Sequence, residues 1–422
     1  MSSTAWLLSV GFAVLMLLGV PFAFAIGIVV ALSLVVSGIE PMLLPQTLVA
    51  GTQSFSLLAI PFFMLAGELM SVGGLSQRLI KVAEVFVRHM TGGLGLVTVG
   101  AATIFSAISG SAPATTAAIG AVMIPAMAAR GYSKAFATAV AVSAGVLGPL
   151  IPPSIAFVIW GVIAEQSISK LFSAGILPGF IMAAGLMVVC WWHAKKNKIP
   201  TEPRASRKEI YEALRDGVWA MLAPVIVLGG IYGGVFTPTE AAVVSCVYAL
   251  VIGILVEKRI KWKEIYELVW RSMKVTSIVM SIIIFSAGFG ILVAQEQLAP
   301  KAATWLAANI HEKWVMLFVL NIVFFLIAAV MDEIAIMVIF GPLLIAIAKS
   351  FGIDPIHFGS IIVTNVSIGM AAPPIGYCLF VGMAISGLKL GEVAKVMWPF
   401  IWVMLAVLMI VTYVPQFSLI LI

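Results

Sequence analysis

The sequence predicts an all-α polytopic membrane protein, built as an inverted repeat in which each half carries one re-entrant hairpin and one broken helix. Three observations predict it: a composition too apolar for water, prolines and glycines that pair at a fixed spacing, and a lopsided distribution of Lys and Arg. Of 422 residues, 62% are hydrophobic and 10% charged, against roughly 45–50% and about 25% in soluble domains. So few charges cannot build a surface that water must wet. Lipid is the solvent for most of this chain.

A helix needs about 20 apolar residues to cross the hydrocarbon core. Spans are predicted at 5–20, 21–38, 48–71, 133–165, 170–194, 216–236, 238–256, 276–295, 356–386 and 397–420. Two further stretches, 92–130 and 314–350, are too long for one crossing. Ser109-Gly110-Ser111-Ala112-Pro113 interrupts the first and Met331-Asp332-Glu333 the second. Two half-crossings return the chain to the side it left, so both stretches read as re-entrant hairpins. Non-helical backbone at membrane depth is tolerated only inside protein or beside a cavity, which makes the hairpin tips candidates for a site.

Two spans are broken in the same way. Residues 133–165 contain Gly145, Gly148, Pro149, Pro152 and Pro153; residues 356–386 contain Gly369, Pro373 and Pro374. Proline removes a backbone donor and clashes with the preceding turn, so each span should be two half-helices joined by unwound backbone. A functionless kink is the plainer reading of either break alone. The breaks are paired, however. Adding 221 carries Ala66-Gly67 onto Ala287-Gly288, Gly131 onto Gly352, Gly148 onto Gly369, and Pro152-Pro153 onto Pro373-Pro374. An offset of 217 carries Pro21 onto Pro238 and Pro125 onto Pro342. An ordered set of this kind marks an internal repeat of about 200 residues.

Orientation follows from the tendency of Lys and Arg to stay cytoplasmic. The linker 195–215 carries seven of them, so it is placed inside, and counting spans outward puts 257–275 on the same side. Only Lys170, Lys301, Lys313 and Lys349 then remain outside. Both termini fall on the outer face, and the two halves run in opposite senses. Linkers 75–91 and 259–275 mix apolar and charged residues at helical spacing, as in Leu79, Val82, Val85 and Phe86 beside Arg78, Lys81 and Arg88. Each reads as a helix lying in the interface plane or as an ordinary solvated connector.

The net charge of +6 is thus topological. No basic patch is interleaved with stacking aromatics, so no nucleic-acid partner is expected. Cys190, Cys246 and Cys378 each lie inside an apolar run and form no disulfide or metal pattern. His89, His193, His311 and His357 are too dispersed for a metal cluster. The first Lys or Arg is Arg78, so the charged start of a secretory signal peptide is missing. No cofactor is expected.

Inverted repeats with paired broken helices point to a secondary transporter whose site lies near the midplane. Half-helix N-termini favour an anionic group; unwound carbonyls with Ser, Thr, Asn and Asp oxygens suit a hard cation. Ser106, Ser109, Ser111, Thr115 and Thr116 cluster at the first tip, and Ser143 is expected to face the first break. Thr364, Asn365 and Ser367 precede the second break, and Asp332 and Glu333 occupy the second tip. Small residues also mediate close helix packing. Intramembrane carboxylates are costly and usually functional, although one of the pair could simply cap a half-helix. Glu68 and Glu240 are the other acids near apolar spans, and Glu240 in Thr237-Pro238-Thr239-Glu240 has the look of a first-turn cap.

The strings LLAIPFFMLAGELM (57–70), SGSAPATTAAIGAVMIPAM (109–127), GPLIPPSI (148–155), LFSAGILPG (171–179), GGIYGGVFTPTEAA (229–242) and IDPIHFG (353–359), with the Met331-Asp332 tip, occur in order along the chain. Together they resemble the large membrane subunit of tripartite ATP-independent periplasmic (TRAP) transporters. The resemblance implies a sodium-coupled elevator in a bacterial inner membrane, with sodium as coupling ion and an organic acid such as a sialic acid or a C4-dicarboxylate as substrate. It implies two partners, a small four-helix membrane subunit and a periplasmic substrate-binding protein, and periplasmic termini. One sodium would sit between Ser106, Ser109, Gly110 and Ser111 and the break at Gly145 and Gly148. A second would sit between Asp332 and Thr364, Asn365, Gly369 and Met370. Substrate would lie between the tips, near Ser111, Ala112, Pro113, Thr115, Asp332 and Glu333, with Pro152 and Pro373 at the breaks. Members often carry threonine before the second Pro-Pro, where Ala372 stands here, so one hydroxyl is absent.

The implied organisation follows the repeat. Residues 1–71 are scaffold, 72–91 an arm, 92–165 the first hairpin and broken helix, and 166–215 a closing helix with its cytoplasmic linker. Then 216–256 are scaffold, 257–275 an arm, 276–312 a span with an outer linker, 313–388 the second hairpin and broken helix, and 389–422 a closing helix. A self-sufficient sodium/anion symporter of a related superfamily would share this plan. An intramembrane enzyme would need a base near the tip serines, and the histidines at 193, 311 and 357 lie at span ends instead. A channel fits paired breaks less well than alternating access does.

Overall fold

Backbone groups in lipid must be satisfied within their own segment, and every secondary-structure element among the described residues is helical. The computed structural model describes residues 3–40 and 42–422. Met1, Ser2 and Pro41, which belong to the predicted 1–71 segment, lie outside the described residues. Among the described residues, eight helices are long and apolar enough to cross a membrane, or nine if the bent pair Lys134–Leu150 and Ile155–Ile163 is one span.

The two hairpins fall where the sequence places them. Gly93–Ser109 and Ala112–Ala129 flank Gly110, whose φ of +60° is the left-handed conformation that glycine adopts without a Cβ penalty. Lys313–Ala328 and Glu333–Ser350 form the second. Their arms of 16–18 residues rise about 24–27 Å, which is longer than the half-crossings the sequence suggests. The parity of the topology is unaffected, because two long arms also return the chain to its starting side.

Other elements depart from the sequence reading. The span expected at 48–71 is two helices, Leu43–Ala50 and, after a break at 51–54, the segment Phe55–Val72. The arm 257–275 and the span 276–295 are not separated: Trp262–Gln295 is one helix of 34 residues, with neither Pro nor a capping motif at 275 to end it. Residues 298–309, expected as linker, are helical.

The two broken helices are innermost. From Phe136 through Gly161 every residue is buried, as is every residue from Ile356 to Ala372. The outer helices instead turn large apolar side chains outward, such as Val225, Val247, Leu255 and Ile278, as expected where lipid or a partner helix replaces water.

The first arm, Leu75–Val87, buries Leu75, Leu79, Ile80, Val82 and Val85. It packs on Arg207–Tyr232, where the side chain of Val82 closes over Gly217. On its polar face Arg78 reaches Asp216 at 3.2 Å and Glu257 at 2.9 Å, and the Glu257 side chain is only 4% exposed. This fastening ties the helix to Arg207–Tyr232 and to the end of the segment Pro238–Val256. Arg78→Ala should therefore strip Glu257 of its partner and lower stability by roughly 1–3 kcal/mol. A thermal unfolding scan of the detergent-solubilised protein checks it, with Arg78→Lys recovering part of the loss.

Candidate functional site

At the first tip, helix and break are interlocked through backbone. Ile155 N donates to Gly110 O at 3.3 Å, so the tip closes onto the break itself. A Cβ on Gly148 would lie 2.5 Å from the Ser111 carbonyl and 2.8 Å from Ala112 N. Gly145 sits equally tightly against Thr116, whose hydroxyl donates to Ala112 O at 3.0 Å. Ser109 Oγ and Thr115 Oγ1 bond to each other at 2.7 Å. Ser106 Oγ is buried and has no hydrogen-bond partner. Beyond the break, Ser154 caps the next half-helix by accepting from Phe157 N at 3.3 Å, with a cis bond between Pro152 and Pro153.

The second tip repeats the interlock. Gly376 N donates to Ala329 O at 3.1 Å, and Cys378 N reaches across the break to Met370 O at 2.9 Å. A Cβ on Gly369 would meet the Ala328 carbonyl carbon at 2.7 Å. Asn365 Nδ2 donates to Asn321 O at 2.9 Å and to Asn321 Oδ1 at 3.0 Å, and Asn321 Nδ2 donates to Thr412 Oγ1 at 2.9 Å. Asn365 Oδ1 is left buried without a partner. The hydroxyl of Thr364 turns back to Ser360 O at 2.7 Å and that of Ser367 to Val363 O at 2.6 Å.

Asp332 is the N-cap of its helix, accepting from Ile334 N at 3.0 Å. Glu333, 4% exposed, has one carboxylate oxygen buried without a partner. The first tip lacks such a cap. Ser111 makes no side-chain bond there, and Pro113 stands in the first turn. The leading N–H groups of the second tip, by contrast, already serve a carboxylate.

Both tips open onto one cavity of about 490 Å³, lined by Ser109, Ser111, Pro113, Asp332, Glu333 and Met370 among others. Ala112, Thr115, Pro152 and Pro373 are not in that lining. Ala112 is packed under the first break, and Thr115 is turned to Ser109. Ser106, Gly110, Gly145, Gly148, Thr364, Asn365 and Gly369 likewise stand behind the wall, in the two tip–break junctions. Ser143 does not face the break, since its hydroxyl points to Met397 Sδ at 3.9 Å on the closing helix Leu390–Tyr413. Glu240 is the expected cap, in a capping box with Thr237.

Sequence reasoning missed another part of the lining, made by Glu68, Ser71, Arg271 and Ser272. Glu68 carried a weak signal as an acid in an apolar run, while Arg271 was hidden among cytoplasmic charges. Asn321 was also missed, although an Asn at the centre of the apolar run 313–328 is the signal that could have found it.

The family described as "Tripartite ATP-independent periplasmic transporter, DctM component" matches residues 9–417. The chain is 39% identical over 406 residues to the isethionate TRAP transporter permease protein DctMQ of Oleidesulfovibrio alaskensis, covering 96% of this chain and 64% of that protein's length. It is 41% identical over 368 residues to the C4-dicarboxylate TRAP transporter large permease protein DctM of Pseudomonas aeruginosa, covering 87% and 86% of the two chains. Among solved structures, the YdaH transporter of Alcanivorax borkumensis shares the fold, with a TM-score of 0.65 at 16% identity over 87% of this chain and 86% of that one.

The tight approach at Gly148 gives a direct test. Gly148→Ala forces the Ser111 backbone to move, because the obstructing atoms are main chain and cannot rotate away. A cysteine placed at Ser111 should then react faster with a water-soluble maleimide in the Gly148→Ala background than in the parent. Equal labelling rates would mean that the junction yields elsewhere.

Proposed function

Because the chain belongs to the DctM-component family of tripartite ATP-independent periplasmic transporters, we propose that it is a membrane subunit of a sodium-coupled uptake system for an organic acid anion. The observation that carries this reading is the convergence of both hairpin tips on one cavity, each backed by a buried oxygen without a partner. A buried, unpaired polar atom is costly, and Ser106 Oγ and Asn365 Oδ1 are two such oxygens, one on the helix leading to the first tip and one on the helix leading to the second break. Hydroxyl, amide and carbonyl oxygens are donors that suit a hard monovalent cation better than a transition metal. In this reading the cation satisfies those oxygens and holds tip to break, while the anion occupies the cavity against the uncapped first tip.

The substrate is an organic acid anion such as a sialic acid or a C4-dicarboxylate; relatives are named for C4-dicarboxylate and isethionate, which have an acid group in common. A periplasmic binding protein delivers it, and a small four-helix subunit completes the membrane part; one relative is named as a fused DctMQ protein. The two hairpins and two broken helices move together as one unit against the remaining helices, in an inner membrane with both termini periplasmic. The pairing of tip with break at each end supports that grouping, since sliding the hairpins alone would break the Gly110–Ile155 and Ala329–Gly376 hydrogen bonds.

Two outcomes check the reading in proteoliposomes that hold the permease, its small subunit and loaded binding protein. Uptake should require a sodium gradient, and full uptake without sodium would sink the coupling. Asp332→Ala should weaken the sodium dependence while expression stays near normal, and Ser106→Ala should raise the sodium concentration for half-maximal rate. Unchanged sodium dependence in either variant removes that residue from the ion's surroundings.

A further inference from the structure

The cavity between the tips holds three carboxylates, those of Glu68, Asp332 and Glu333, and a single Lys or Arg among the described residues that line it, Arg271. An anion entering such a space meets net negative charge unless a cation receives it. Arg271 is placed to do so. It lies on the long helix Trp262–Gln295, so it belongs to neither hairpin. Its Nη2 bonds Glu267 one turn back on the same helix, and its Nη1 has only Glu68 at 3.9 Å, an ion pair too long for a hydrogen bond. With 57% of the side chain exposed, the Glu68 contact is screened and easily exchanged.

We propose that Arg271 is the fixed-wall anchor for the acid group of the transported anion, a carboxylate or sulfonate, and that Glu68 holds the guanidinium when no anion is present. The proposal rests on the transport reading above and adds a binding residue on a helix that is part of neither hairpin. A planar guanidinium presents paired N–H donors that match an oxyacid group, which an ammonium cannot reproduce. Arg271 lies in the stretch that the Lys and Arg distribution places on the cytoplasmic side. The anchor therefore serves the inner mouth, where the anion passes from the first tip to a residue that does not travel with it. An incoming acid group displaces Glu68, and departure of the anion restores the Arg271–Glu68 pair.

The test uses the purified full-length permease with its small subunit and reads two things. Phenylglyoxal modification of Arg271 is followed by peptide mass spectrometry with succinate, N-acetylneuraminate, isethionate or glycerol present. At least one acid should slow the modification severalfold, glycerol should not, and Glu68→Gln should speed the anion-free reaction. In proteoliposomes, Arg271→Gln should raise KM for the protecting acid about tenfold or more, with Vmax little changed and Arg271→Lys intermediate. Failure of all three acids to protect Arg271, in a preparation that takes one of them up with sodium, overturns the assignment. So does an unaltered KM in Arg271→Gln. Protection by an acid in a preparation whose uptake ignores sodium upholds the anchor and defeats only the coupling.

Discussion

The structure depends on one constraint: where the chain unwinds far from water, its backbone groups must find partners in another unwound segment. Each tip meets that demand through the break it faces. Ile155 N finds Gly110 O, and Gly376 N finds Ala329 O. The two donors are 221 residues apart, the same spacing that relates Gly148 to Gly369 and the two proline pairs. Glycine is required at the contacts because the partner is main chain. A Cβ at Gly148 or Gly369 would displace the carbonyl that the junction is built around.

This explains what the sequence made legible. Helix, hairpin and break announce themselves through proline, glycine and the lengths of apolar runs, since those residues act on the local backbone. The tips at 109–113 and 331–333 and the unwound stretches 151–154 and 370–376 lie where, or within a few residues of where, those signals put them. Continuity was harder to read. Nothing local distinguishes an interfacial helix followed by a span from the single helix Trp262–Gln295, because no breaking residue is involved either way.

The site was legible on one side only. Residues of the tips stand out as polar atoms inside apolar runs. Arg271 belongs to a linker rich in Lys and Arg, where each charge already has a topological explanation. Only the fold shows that this one lines the cavity, within 3.9 Å of Glu68 on a helix about 200 residues earlier in the chain. Asn321 is similar, because its worth lies in pairing with Asn365 and Thr412, two helices that the sequence does not connect to it.

The two tips resemble each other in backbone and differ in charge, and the difference bears on where an anion rests. Asp332 already occupies the N-terminal donors of the second tip, and Glu333 adds a second carboxylate beside it. The first tip has no acid, and Ser111 makes no side-chain cap there. In the proposed function the second tip, with its acids, favours the cation, and the anion lies nearer Ser111 and Arg271. A cation near Asp332 would then lower the repulsion that an anion meets from the second tip, so each ion would make room for the other without contact between them.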